Sequence, residues 1–373
     1  MVCGRRASRP LLNIHQYIRN KLFRAVVSAH CILMNLIPLG LEGKSKAKYA
    51  IMPHPTKEVY MWFKNILAYR VLNSFEYNAE ELHELLADLP SRPCGQLEHL
   101  TIGWAPPLGI GHDRLTHEAA GCIMVALRKE EKLLPQSVVR EQVQQKLLAL
   151  EQEGRKVSAR DKRALHEEVT LHLLPRAFTK GDVTYAYFDK RHQWLIIDTS
   201  RRAKAEEFII LLKKSLPNIQ LEAISVENSI SRTLTQWAIE GRAAEGFEFN
   251  DYCELRDPRQ AKNIIKCLNQ AIESEEVTQH LLAGKELFRA KFVWRERLNF
   301  ILEDDFSIKR IQFTDLIQEE AVEVSSETTV DQFDAEFVLC SGEFAAFLPA
   351  LLAALDGVEE KAVLPAKAVA AAL

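Results

Sequence analysis

Between Gln136 and Pro175 the chain carries two apolar stripes at helical spacing, and no other segment narrows the choice of architecture as much. Val139, Val143, Leu147 and Leu150 recur at intervals of four, four and three residues, which sets them along one side of a helix. Gly154 supplies a stop, since a residue without a Cβ readily takes the left-handed conformation that ends helices. Ser158, three residues before Asp161, predicts a second start with an acidic first turn. Leu165, Val169 and Leu173 carry the second stripe until Pro175 ends it. The first helix, at 1.5 Å per residue, is about 27 Å long. The segment therefore predicts a projecting helical hairpin at about 136–174. Its tip gathers Arg155, Lys156, Arg160, Lys162 and Arg163, a set that fits phosphate contact, a grip on a partner protein, or plain solvation.

The rest of the chain mixes strands and helices without regular βαβ alternation, so the expected class is α+β with mixed antiparallel sheets. Met61–Val71 alternates as a strand, and 78–89 has the period of an amphipathic helix capped by Asn78. The stretch 90–111 is expected to be irregular, because Pro93, Pro106 and Pro107 cannot donate to a ladder. Strands are expected at 121–127, 183–188, 194–198, 247–255, 263–268 and 308–313. Helices are expected at 203–216, 231–240 and 275–283. Leu287–Leu302 reads as one long alternating strand that turns at Asp304-Asp305, and a strand at 335–339 precedes a helix near 341–355.

A membrane span is not expected at 25–41, where His30, Asn35 and Pro38 interrupt a short apolar run. Residues 1–60 read as a poorly ordered N-terminal extension outside the functional body, and 358–373 as an Ala-rich tail. Charge divides the same way. Residues 1–60 hold ten Lys/Arg and two Glu, whereas the remainder holds 38 basic and 49 acidic residues, a balance of −11. Nucleic-acid-binding domains are usually basic, so an acidic body could hold a duplex only with its cations gathered on one protected surface. The seven cysteines form no CxxC or Cys/His spacing, which fits reduced thiols in a cytosolic protein and gives no support to a metal or redox cofactor.

The long strand offers such a surface. Phe292, Trp294, Leu298, Phe300 and Leu302 fall on one face, and Arg289, Lys291, Arg295 and Arg297 on the other, with Lys309 and Arg310 just past the turn. A row of cations can meet phosphates along a backbone. It can equally be a solvated sheet face, diluted by Glu286, Glu296 and Glu303. Arg128-Lys129-Glu130-Glu131-Lys132 is a mixed charge run of surface type. Enzyme signatures are weak. Asp304 and Asp305 suit a hairpin turn, Asp331 and Asp334 a polar linker, His112, His117 and His166 lack metal-spaced partners, and Ser341-Gly342-Glu343 reads as a helix start rather than a nucleophile elbow.

Several ordered words nevertheless point to a family. Met61-Trp62-Phe63-Lys64-Asn65, Pro93-Cys94-Gly95, Gly103-Trp104-Ala105-Pro106-Pro107-Leu108-Gly109, Leu115-Thr116-His117, Leu173-Leu174-Pro175-Arg176-Ala177-Phe178, Ala244-Glu245-Gly246-Phe247 and Phe333-Asp334-Ala335-Glu336-Phe337 resemble the recombination-associated protein RdgC family from Met61 to about Gly357. The resemblance implies a homodimeric ring around duplex DNA, with a cationic inner wall and an acidic exterior, that binds without sequence preference and restrains RecA-driven recombination without catalysis. It implies a cytoplasmic, nucleoid-associated protein. The inner wall is then expected to use Arg128, Lys129, Lys132, Arg176, Lys285, Arg289, Arg297, Lys309 and Arg310. Phe178 corresponds to an aromatic that supports the hairpin. The family's Lys-Gln gate pair corresponds to Asn269 and Gln270, so the glutamine is kept and the lysine is not; Lys266 could offset the missing cation. A protein-interaction module acting through the hairpin is the alternative.

Overall fold

The computed structural model describes residues 61–324 and 328–355, and the expected extension at 1–60 and tail at 358–373 lie outside them. Two antiparallel sheets and eight α-helices make up the described residues, an α+β architecture. The strands are β1 (Leu67–Val71), β2 (Leu100–Ala105), β3 (Thr116–Ala119), β4 (Cys122–Leu133), β5 (Phe178–Asp189), β6 (Trp194–Ile197), β7 (Leu221–Ala223), β8 (Phe247–Asp257), β9 (Gln260–Leu268), β10 (Glu286–Trp294), β11 (Leu298–Glu303) and β12 (Ile308–Phe313). The first sheet runs β2-β4-β5-β6-β1-β7, with β3 sharing the edge of β4, and the second runs β12-β11-β10-β8-β9. The helices are α1 (Ala79–Leu86), α2 (Gln136–Gln152), α3 (Ala159–Leu173), α4 (Arg202–Ser215), α5 (Ile230–Glu240), α6 (Glu275–Leu282), α7 (Asp315–Val324) and α8 (Thr329–Ala354).

Helix α8 organises the core. Its Phe337 meets Tyr187 of the first sheet at 5.6 Å, and its Phe347 meets Phe300 of the second at 4.8 Å. Phe344 packs against Phe63 and Phe313. By length and composition this helix could cross a membrane; here its aromatic side is buried between two sheets. A second apolar cluster lies on the other face of the first sheet, where Leu82 and Leu86 of α1 and Phe208 and Leu212 of α4 cover Ile123, Val125 and Leu127. Burial of each such side chain is worth about 1.5–3 kcal/mol.

The hairpin forms where periodicity predicts it. Val139, Val143 and Val169 are its buried seam, flanked by Leu147, Leu165 and Leu173. Ser158 and Asp161 cap α3 reciprocally, and Gly154 is left-handed at φ 75°. Asn78 and Glu81 form the same box at α1.

Four expectations need correction. Met61–Val71 is not one strand: β1 begins at Leu67, because Lys64 and Asn65 donate their N–H groups to Asp198 and Ile66 bridges to Ile308 of the second sheet. The 90–111 stretch is not wholly irregular: β2 fits between its prolines and pairs with β4. The charge run 128–132, read as surface type, is the second half of β4, in register with β5 from Arg128↔Val183 to Lys132↔Thr179, with Glu130 buried and the other four half-buried. Finally, the proposed strand at 335–339 is part of α8, since Phe333, Phe337, Phe344 and Phe347 follow helical spacing, and Ser341–Glu343 lies mid-helix.

Candidate nucleic-acid interface

The 287–302 stretch is two strands rather than one. Arg295 and Glu296 have φ of 46° and 54°, and Arg297 N–H donates to the Trp294 carbonyl at 2.8 Å, closing a tight primed turn. Trp294 then pairs with Leu298 and Phe292 with Phe300, so the apolar face survives the turn intact. The four-cation row does not. Arg295 sits in the turn, its guanidinium over the Trp294 ring at 5.3 Å. Arg297 turns to α8, where Glu343 accepts its Nε at 2.9 Å, and Glu320 of α7 lies 3.6 Å away. Only Arg289 and Lys291 remain on the polar face.

Tertiary pairing replaces that row with an ion ladder running across all five strands. Lys266 on β9 lies 3.2 Å from Glu254 on β8, and Arg289 on β10 lies 2.7 Å from the same carboxylate. Arg289 also approaches Glu303 on β11 at 2.6 Å, and Lys309 on β12 reaches Glu303 at 2.6 Å. Both carboxylates are buried, Glu254 being 2% exposed. The Arg289–Glu303 approach is a charge contact without hydrogen-bond geometry, and Arg289 Nε and Glu303 Oε1 are buried without a hydrogen-bond partner among the described residues. Burial alone would raise the Glu254 carboxyl. Hydrogen bonds from Tyr252 and Lys266 and the charge of Arg289 outweigh it and hold the group below the ordinary carboxylate range.

Two further pairs flank the ladder, Lys291–Asp251 at 3.1 Å and Arg256–Asp304 at 2.6 Å. Arg310 is the extra residue of a bulge between β11 and β12. Asn299 pairs with Gln312 and Ile301 with Lys309, leaving Arg310 left-handed at φ 50° and its guanidinium 6.0 Å from the Tyr252 ring. The pairs and Arg310 together set six cations against four carboxylates, with Glu248, opposite Val293, a fifth carboxylate on the same face, so the face is a weakly positive island on a body whose sequence balance is −11. Lys266 has a 59% exposed side chain and Arg310 is exposed, so these two are free to reach outward.

The other expected residues lie apart from this face. Arg128 pairs with Glu130 at 3.2 Å and Lys129 with Glu207 at 2.7 Å, while Lys132 donates to the carbonyls of Gln96 and Leu174. Lys285 follows α6, Arg176 is exposed beneath the hairpin, and neither has an ion-pair partner among the described residues. Phe178 lies outside the hairpin's apolar seam and is 83% exposed. Asn269 follows β9 in a left-handed conformation at φ 54°, in a groove shared with Tyr252, Lys291 and Arg310. Gln270 donates to Ser274 Oγ at 3.1 Å and Glu276 at 3.0 Å. Sequence reasoning passed over Arg256, Glu254 and Tyr252; the alternation of Tyr252, Glu254 and Arg256 along one strand was the available signal.

Among the described residues no group of three His, Cys, Asp or Glu side chains could hold a metal. His117, read as lacking metal-spaced partners, meets Asp334 at 3.1 Å, and Asp331 and Asp334 belong to α8 rather than a linker. A family model described as "Putative exonuclease, RdgC" matches residues 61–358. Proteins named Recombination-associated protein RdgC from Salmonella typhimurium and Salmonella paratyphi B are each 36% identical over 298 residues, covering 80% of this chain and 98% of the relative.

Proposed function

We propose, from the premise that this chain belongs to the RdgC family, that it binds duplex DNA without sequence preference through the cation-bearing face of its second sheet. The single observation that carries this reading is the positive island built on the Lys266–Glu254–Arg289–Glu303–Lys309 ladder. Buried carboxylates fix the inner arginine, so the exposed cations stand on a rigid surface rather than on flexible loops. Phosphates that meet Lys266, Lys291 and Arg310 would release condensed counterions, giving an affinity that falls steeply with salt. The relatives' name ties the family to recombination. In this reading the chain forms a homodimeric ring in the nucleoid and restrains RecA-dependent exchange by occupying the duplex.

The reaction implied by the family model's description, exonucleolytic cleavage, is not part of this reading. Metal-assisted phosphodiester hydrolysis uses clustered carboxylates, and Glu254, Glu303, Asp251 and Asp304 of this face are each engaged by a cation. A second reading, a protein-docking module, rests on one observation. Phe178 and Leu133 are in register at the hairpin base, 83% and 47% exposed.

Anisotropy titration with two unrelated labelled duplexes over a salt series tests the proposal. Equal affinities with a steep salt slope, weakened in the triple variant Lys266→Gln, Lys291→Gln, Arg310→Gln, are expected. Undiminished binding by that variant would move the interface elsewhere, and no binding at low salt would leave the docking module.

A further inference from the structure

Glu336 of α8 is a carboxylate in the wrong company. It is 4% exposed and has no cationic partner among the described residues. Its two hydrogen bonds come from neutral donors, Gln332 Nε2 to Oε1 at 3.1 Å and the main-chain nitrogen of Met61 to Oε2 at 2.8 Å. A buried carboxylate is ordinarily paired with a cation, because neutral donors leave its charge uncompensated. The nitrogen at 2.8 Å has one proton and no charge when it is a peptide amide. As a chain-terminal α-ammonium it has a full positive charge and additional protons at the same position.

Met61 itself is built into the core. Its side chain is 2% exposed, Phe63 is 2% exposed, and Trp62 packs on Phe313 with ring centroids 4.6 Å apart. The family match starts at the same residue, and the 36% identical relatives are covered over 98% of their length by 298 residues of this chain.

We infer that the folded body is completed by a free α-amino group at Met61, and that the working form of the protein begins there, its ammonium paired with Glu336. Initiation at the Met61 codon and cleavage after Tyr60 both yield this nitrogen. Trp62, a large residue, disfavours removal of an initiator methionine, so Met61 stays as the terminus. The inference does not rest on DNA binding, and its failure would leave that reading untouched.

Two measurements decide it. Intact-mass analysis of the protein isolated from the cells that make it should give a species beginning at Met61; a 373-residue chain as the sole species overturns the inference. The second measurement compares melting temperatures for four proteins, the full chain and the 61–373 chain, each with and without Glu336→Gln. Both sheets and all three apolar clusters lie within 61–355, so the shorter chain keeps every described element. The substitution should lower the melting temperature of the 61–373 chain by about 4 °C or more, and leave the full chain unchanged or raised. Equal effects in both backgrounds overturn the pairing. Initiation and cleavage are told apart by changing the Met61 codon to Leu, which abolishes the short species only if it arises by initiation.

Discussion

Arg289 places one guanidinium nitrogen 2.7 Å from Glu254, a carboxylate that is 2% exposed, although the two residues stand 35 positions apart in the chain. This contact sits at the middle of the ladder and joins β8 to β10. Removing the guanidinium leaves Lys266 as the one cation on buried Glu254 and Lys309 as the one cation on Glu303 among the described residues. Arg289→Met should therefore cost about 3 kcal/mol, read as a lower urea midpoint with an unchanged slope. A cost under about 0.5 kcal/mol would mean that the ladder is ornamental.

The same carboxylate predicts an acid limit. The folded-state pKa of Glu254 is depressed, so its contribution to stability is present above the ordinary glutamate value and is lost as pH falls through the folded value. Asp305, lowered by hydrogen bonds from Ser307 and Arg202 against its burial, acts in the same direction. Stability should decline as pH drops from about 5, and the Glu254→Gln variant should lose part of that decline. Parallel pH profiles for the two proteins would contradict the assignment.

Gly103 is required by space rather than by backbone angle. A Cβ there would lie 2.5 Å from the Pro90 carbonyl oxygen and 2.6 Å from Ser91 Cα, and neither is a movable side-chain tip. Gly103→Ala should destabilise by about 2–4 kcal/mol, as overpacking against backbone does. Thermal melts against Gly111→Ala, which meets nothing within 4 Å but carries a left-handed φ of 101°, separate clash from conformational strain.

Phe178 gives the opposite case. A ring that is 83% exposed contributes little to the monomer's fold, so Phe178→Ser should leave stability within about 0.5 kcal/mol. If the ring instead supported the hairpin from within, the loss would approach about 3 kcal/mol. Loss of self-association at unchanged stability, followed by sedimentation velocity, would assign it to an interface.

Exposed cations should act through phosphates one at a time. Arg310→Gln should lower the salt dependence of duplex binding by about one unit of slope, with unchanged melting temperature, whereas Lys266→Gln should lower the slope equally and also lower stability, because buried Glu254 loses one of its two cations. Arg297→Gln should instead lower stability and leave the slope alone, because its guanidinium is spent on Glu343.

Much of the architecture was legible where it is local. The α2–α3 hairpin follows from Val139, Val143, Val169, Gly154 and the Ser158–Asp161 cap, all of which act within a few residues of each other. The alternation of Phe292, Trp294, Leu298 and Phe300 likewise identified the buried face of the second sheet. The ladder was not legible. Its members come from five strands, and which charges meet depends on register, set here by the bulge at Arg310 and the tight turn at Arg295-Glu296. Periodicity reports which face a side chain occupies, not which neighbour it finds there. The chain's own order of residues thus determined the helical hairpin, the α+β class and the family. Only tertiary structure decided that Arg297 belongs to α8, that Arg289 is held between two buried acids, and that Glu336 accepts the main-chain nitrogen of Met61, because such contacts form through space between groups whose distance along the chain carries no information about their contact.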